Sequence, residues 1–265
     1  MIPRAYITEW TQYAPWKTNE QVEQDLVISR ALVEIFSDGY LSEELAFRGG
    51  TALHKLYLSP QPRYSEDIDL VQVKEGAIGP LLDRLREVLD PLFESGAKYK
   101  KTLISNKLTY RFQSEFPPVQ SMRLKIEINC REHFSVLGYI KVPLKINSKW
   151  YKGKCEIKTF RVEELLGTKL RALYQRKKGR DLYDLYSALI KVENINAGEV
   201  IRCYNAYIEH SEGDVPGREV FMKNIEEKMN DPEFTGDTTG LIRQEIEWDV
   251  QEAYKLVRSK LLNSI

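Results

Sequence analysis

Cysteine and histidine are scarce in this chain of 265 residues, with three of each. Cys130, Cys155 and Cys203 are odd in number and far apart, which excludes a disulfide framework and the close pairs of a zinc site. His54, His133 and His210 do not cluster either. No apolar run approaches the roughly 20 residues that a membrane helix needs. Met1–Trp10 lacks the basic stretch followed by an apolar one that marks a secretory leader. We therefore expect a cytoplasmic protein with no membrane partner. A net charge is also missing, since 39 Lys and Arg balance 39 Asp and Glu. At first sight that argues against a dedicated nucleic-acid binder. With 42% hydrophobic and 29% charged residues, the composition excludes disordered and collagen-like chains. The length suits one large domain or two modest ones.

The neutral total hides a strong asymmetry. Residues 1–95 carry −7 and residues 191–265 carry −6, whereas 96–140 carry +5 and 141–190 carry +8. A basic middle of this kind suits a polyanion, although lysines also guard sheet edges against aggregation.

Periodicity divides the chain into a mixed half and a helical half. Glu20–Phe36 and Ile78–Phe93 repeat apolar residues at helical spacing. Leu45–Phe47 reads as a short buried strand, then a glycine turn, then a helix from near Thr51. Strands are expected over Arg63–Val71, Arg123–Asn129, Tyr139–Ile146 and Tyr151–Phe160. A hairpin is expected over Tyr99–Ile104 and Lys107–Phe112, turning at Ser105-Asn106. From Val162 onward the pattern is helical, with candidates at Glu163–Arg176, Asp181–Lys191, Ala197–His210, Arg218–Met229 and Thr239–Leu262.

Two features point to chemistry. Successive side chains on a strand alternate faces, so Asp67 and Asp69 share one face with Ser65, while Ile68 and Leu70 take the other. Aspartate is depleted in strands, so two in one short segment need a reason. Neighbouring carboxylates repel unless a cation lies between them. On the later strand Glu127 shares a face with Lys125 and Asn129. If the strands are neighbours, Asp67, Asp69 and Glu127 converge as hard oxygen donors for Mg²⁺, with Mn²⁺ as a second choice. The second feature is Gly49-Gly50-Thr51, placed between a strand and a helix, where backbone N–H groups can approach a phosphate. On the helical side, Lys169 flanks the apolar stripe of Leu166, Leu170 and Leu173. Asp181 sits where it can cap the next helix, and Asp184 shares its side.

Gly49-Gly50-Thr51, Arg63 and Ser65-Glu66-Asp67-Ile68-Asp69-Leu70 together resemble the first motif of the nucleotidyltransferase AbiEii/AbiGii toxin family, part of the DNA polymerase β-like superfamily. Leu165-Leu166-Gly167-Thr168-Lys169-Leu170-Arg171-Ala172 is similar to that family's lysine helix. Gly179-Arg180-Asp181-Leu182-Tyr183-Asp184-Leu185-Tyr186 is similar to its Arg-Asp-x-x-Asp-Leu-Tyr motif. The likeness spans roughly residues 47–189.

The resemblance implies an α+β fold, with a polymerase β-like nucleotidyltransferase core of mixed sheet and helices over residues 1–160. A helical domain over 161–265 would close the nucleotide cleft. It implies an NTP substrate, a cognate antitoxin and a tRNA 3′ end as acceptor, with a small molecule or a protein as the alternative. It implies catalytic roles for Asp67, Asp69, Lys169 and Asp181, and metal binding by Asp67, Asp69 and Glu127. Nucleotide contacts would come from Gly49, Gly50, Thr51, Arg63, Ser65, Lys169 and Arg180.

Overall fold

The structure, a computed structural model, describes residues 2–103 and 105–265. The chain folds into two compact units. The first contains Met1–Ala52, Arg63–Phe134 and Tyr139–Phe160; the second contains Leu53–Pro62, Ser135–Gly138 and Arg161–Ile265.

The first unit follows the order α1 (Arg4–Trp10), α2 (Asn19–Ser37), α3 (Gly39–Glu44), β1 (Leu45–Arg48), α4 (Gly49–Leu56), β2 (Asp67–Gln72) and α5 (Gly79–Leu89). Five strands follow: β3 (Lys98–Lys101), β4 (Ser105–Gln113), β5 (Ser121–Asn129), β6 (Tyr139–Asn147) and β7 (Lys152–Phe160). The unit boundary falls within α4. All seven strands join one mixed sheet in the order β3-β4-β5-β2-β1-β7-β6. The β2–β5 and β1–β7 pairs are parallel and the other four antiparallel.

Helix α2 explains which face becomes core. The Thr18 hydroxyl caps it by accepting from the Gln21 N–H, and Leu26, Ile28, Leu32 and Ile35 are fully buried. It packs along β7 and also touches β5 and β6. Phe36 lies 6.5 Å from Phe47 of β1, centroid to centroid. The Gln24 side chain donates to the carbonyls of Glu66 (3.3 Å) and Arg123 (2.9 Å), tying the segment that leads into β2 to the first half of β5. Ile68, Leu70, Leu124, Ile126 and Ile128 are buried, as period-two alternation requires of a covered face. The two outermost strands are basic. β3 is Lys-Tyr-Lys-Lys and exposed at every position, and β6 carries Lys141, Pro143 and Lys145 at exposed positions.

Three boundaries differ from the sequence pattern. Helix α4 begins at Gly49, directly after β1, rather than at Thr51. β2 begins at Asp67, where its ladder to β5 starts opposite Lys125, so residues 64–66 are an approach loop. Ser105 and Asn106 belong to β4 rather than to the hairpin turn, because Asn106 pairs with Lys101 of β3; Ile104, the expected end of the first hairpin strand, lies outside the described residues.

The second unit adds α6 (Val162–Gln175), α7 (Gly179–Lys191), α8 (Ala197–Glu212), α9 (Arg218–Met229), α10 (Pro232–Gly236) and α11 (Val250–Lys260). Leu165, Leu166, Leu170 and Leu173 of α6 are buried. The fully buried Glu164 carboxylate accepts from the Ser135 hydroxyl, the Val136 and Leu137 N–H groups and the Tyr207 hydroxyl, at 2.7–2.9 Å. This holds the 135–138 segment to the helices. The single helix expected over Thr239–Leu262 does not form. Gly240 has φ +79°, and the Asp249 carboxylate accepts from the N–H groups of Gln251 and Glu252, capping a new helix at Val250. Between them, Trp248 packs edge-on against Tyr183 at 4.8 Å, and the Arg243 N–H donates to the Pro62 carbonyl.

Candidate active site

The acidic face of the first unit is built by strand register. Asp69 of β2 lies opposite Glu127 of β5, and Asp67 lies opposite Lys125. On the far side of β5, Lys107 of β4 pairs with Glu127. On the other side of β2, Arg48 of β1 pairs with Asp69. Residues opposite one another in a ladder share a face, so all six project from the side that does not carry Ile68, Ile126 and Leu70.

The contacts follow from that register. The Lys125 ammonium lies 2.6 Å from Asp67 Oδ2 and 3.8 Å from Glu127 Oε2. Lys107 lies 2.9 Å from Glu127 Oε2, and the Ser105 hydroxyl donates to Glu127 Oε1 at 2.7 Å. Arg48 forms its own close ion pair with Glu132. Burial raises the Asp69 carboxyl above the usual carboxylate range, and the charge of Asp67 adds to the rise. Burial also pushes Glu127 up, but its bonds to Lys107 and Ser105 outweigh this and hold it low. Lys125 moves up despite burial, because Asp67 bonds to it and three carboxylates surround it.

The glycine turn abuts the same face. Gly49 has φ +79°, and a Cβ there would run into the Asp69 carboxylate. Glycine is therefore required twice over, for the backbone conformation and for the close approach. The first-turn amides of α4 begin beside Asp69. The Thr51 side chain turns inward, its hydroxyl meeting Ser65 Oγ at 2.7 Å and donating to the Asp67 carbonyl. It thus braces the loop that delivers β2. Arg63 is also buried and donates to the Tyr64 carbonyl at 2.8 Å. In this state its guanidinium is used in holding backbone.

Among the described residues, no three His, Cys, Asp or Glu side chains close on one point as a preformed metal cage. The donor chemistry still fits a hard divalent cation. Asp67, Asp69 and Glu127 are oxygen donors on adjacent strands, and two lysines supply the positive charge that keeps them together.

The remaining candidates lie in the second unit, in a buried ionic cluster. Lys169 Nζ lies 3.2 Å from Asp181 Oδ1 and 2.8 Å from Asp184 Oδ2. Arg176 grips Asp181 with two nitrogens at 2.6 and 2.7 Å, and His54 Nε2 meets Asp184 Oδ1 at 2.8 Å. Burial raises the Asp181 carboxyl, but Lys169 and Arg176 outweigh it and leave the group low. Asp181 is thus not the cap of α7, which begins at Gly179 after Lys178; it lies in the first turn, fully buried. Arg180 stays more exposed, its N–H bonded to Asp237 Oδ2 at 3.1 Å.

The family description "Nucleotidyl transferase AbiEii toxin, Type IV TA system" matches residues 30–256. The chain belongs to the AbiEii nucleotidyltransferase toxin family. Among solved structures it is similar to MenT4, a nucleotidyltransferase toxin from Mycobacterium tuberculosis H37Rv. The two share 15% identity over 97% of this chain and 99% of that one, with a TM-score of 0.58. A putative nucleotidyltransferase from H. pylori is 19% identical over 94% of this chain and 99% of that one, with a TM-score of 0.49. No curated protein matches the chain.

This AbiEii protein is therefore a nucleotidyltransferase and the toxin of a toxin–antitoxin system, with an NTP substrate and an antitoxin partner. No helix among its described residues is long and apolar enough to cross a membrane. Sequence reasoning singled out neither Lys107 nor Arg48, because each reaches the acidic face only through the register of a neighbouring strand. It likewise passed over His54, which carries no motif and meets Asp184 across 130 residues of chain.

Proposed function

We propose that this AbiEii toxin transfers a nucleotide from an NTP to the 3′ end of tRNA, and so blocks translation. The observation that carries the reaction is the register that sets Asp69 against Glu127, beside Asp67, with Gly49 against the same carboxylate. Asp67, Asp69 and Glu127 would hold Mg²⁺ or Mn²⁺, which supplies phosphate-charge neutralisation and lowers the pKa of the attacking hydroxyl. The first-turn amides of Gly49 and Gly50 receive phosphate oxygens at a helix start. Thr51 and Ser65 hold the loop that presents Asp67. Arg63, Lys169 and Arg180 are assigned to phosphate charge, and Asp181 to holding Lys169. The acceptor oxygen attacks the α-phosphorus, the bond to the β-phosphate breaks, and pyrophosphate leaves with its electron pair. The hydroxyl proton passes to Asp69 or Glu127. The basic stretch over residues 96–190 supports a polyanionic acceptor.

The test is incubation with total tRNA, Mg²⁺ and each labelled NTP in turn. Label should enter tRNA with the wild type and be lost with Asp67→Ala and Lys169→Ala. Wild-type label entering only a protein or a small molecule refutes the tRNA acceptor. Full transfer by Asp69→Asn refutes the metal assignment.

A further inference from the structure

The lysines on the acidic face stand where a divalent cation would do its work. Lys125 lies between Asp67 and Glu127, and Lys107 closes on Glu127 from the next strand. Three carboxylates are thereby offset by two ammonium groups, so a bare cation meets little net negative charge. Both lysine side chains keep 28–29% of their surface exposed. Each is a compact point charge on a flexible stem, free to change partners. An NTP brings phosphate oxygens that can accept those ammonium groups, which bare metal does not.

We propose that Lys125 and Lys107 are exchangeable partners of the acidic face. Without nucleotide they neutralise Asp67 and Glu127; when a metal–NTP complex arrives they pass to its phosphate oxygens. The carboxylates are then released to the cation, so the site takes its metal with the nucleotide rather than before it. Lys125 and Lys107 become phosphate ligands for the transfer reaction, a role that no sequence motif assigns to them. The inference rests on Asp67 and Asp69 holding the metal.

The test measures Mn²⁺ binding to the full chain by the electron paramagnetic resonance of free Mn²⁺, at constant ionic strength and with thermal melting as the fold control. Wild type should bind Mn²⁺ weakly alone and tightly with a non-hydrolysable NTP. Lys125→Met should bind Mn²⁺ alone on the order of tenfold more tightly, since a repelling charge a few ångströms away is gone. It should gain less from added nucleotide. Lys125→Arg should stay close to wild type. Should Lys125→Met fail to fold, Lys107→Met carries the same expectation. A folded variant with unchanged Mn²⁺ affinity overturns the proposal, as does tight wild-type binding that nucleotide does not improve. Adding Asp69→Asn to Lys125→Met separates the two ideas. Loss of Mn²⁺ binding upholds the metal assignment even if the lysine exchange fails, whereas retained binding overturns that assignment itself.

Discussion

Replacing Gly49 by alanine perturbs the point where backbone conformation and the acidic face meet. Two effects are separable. A side chain at positive φ costs about 1–2 kcal/mol whatever surrounds it. The new Cβ would also collide with the Asp69 carboxylate, and forced overpacking costs about 1–3 kcal/mol more. Gly138 provides the control, because it has the same φ of +79° and nothing within 4 Å of a built Cβ. Urea unfolding should show Gly49→Ala losing about 2–5 kcal/mol and Gly138→Ala only about 1–2 kcal/mol, with m unchanged in both. In an Asp69→Ala background the contact with the carboxylate is gone and only the Cβ of residue 69, 3.0 Å away, remains, so the cost of Gly49→Ala should fall toward that of Gly138→Ala. Nucleotide transfer by Gly49→Ala should drop because Asp69 is displaced. The reasoning fails if Gly49→Ala costs no more than Gly138→Ala, or costs as much without the Asp69 carboxylate as with it.

Two further expectations concern stability. Glu164→Gln leaves one amide oxygen where two carboxylate oxygens served four donors, and turns an NH₂ toward two of them, one a backbone N–H that cannot accept. It should lose roughly 2–3 kcal/mol in chemical denaturation, and a loss below about 1 kcal/mol would contradict the clamp. Glu23 is raised from 4.5 to about 7, chiefly by burial and then by neighbouring Glu115, against the lowering bond from the Glu115 N–H. The folded protein keeps a proton that the unfolded chain releases between these values. The stabilisation is therefore full below pH 4.5 and lost as pH rises through 7. Relative to Glu23→Gln, wild type should lose on the order of 2 kcal/mol between pH 5 and 8; a flat difference would show that Glu23 is ionised throughout.

Strand chemistry was the most legible part of the sequence. Alternation alone put Asp67 with Asp69 and Glu127 with Lys125, because a two-residue period leaves no other arrangement. It could not say that β2 and β5 are parallel neighbours, since pairing between residues 58 apart, as Asp67 and Lys125 are, depends on what α2 covers. Lys107 and Arg48 were hidden for the same reason. Thr239–Leu262 was misread because helical spacing persisted while Gly240 and Asp249 interrupted it locally, and Trp248 was drawn to Tyr183 instead. Asp181 carried a capping residue's identity near a helix start, but its burial against Lys169 and Arg176 came from charges no local pattern encodes.

The basic, proline-marked margins of the seven-stranded sheet also bear on company. A strand edge is an invitation to add another strand from a second molecule. Here β3 offers lysines at three of four positions, and β6 lacks an N–H at Pro143. Such margins work against self-stacking and against any antitoxin that would dock by lengthening the sheet. They push protein recognition of this toxin toward side-chain surfaces instead.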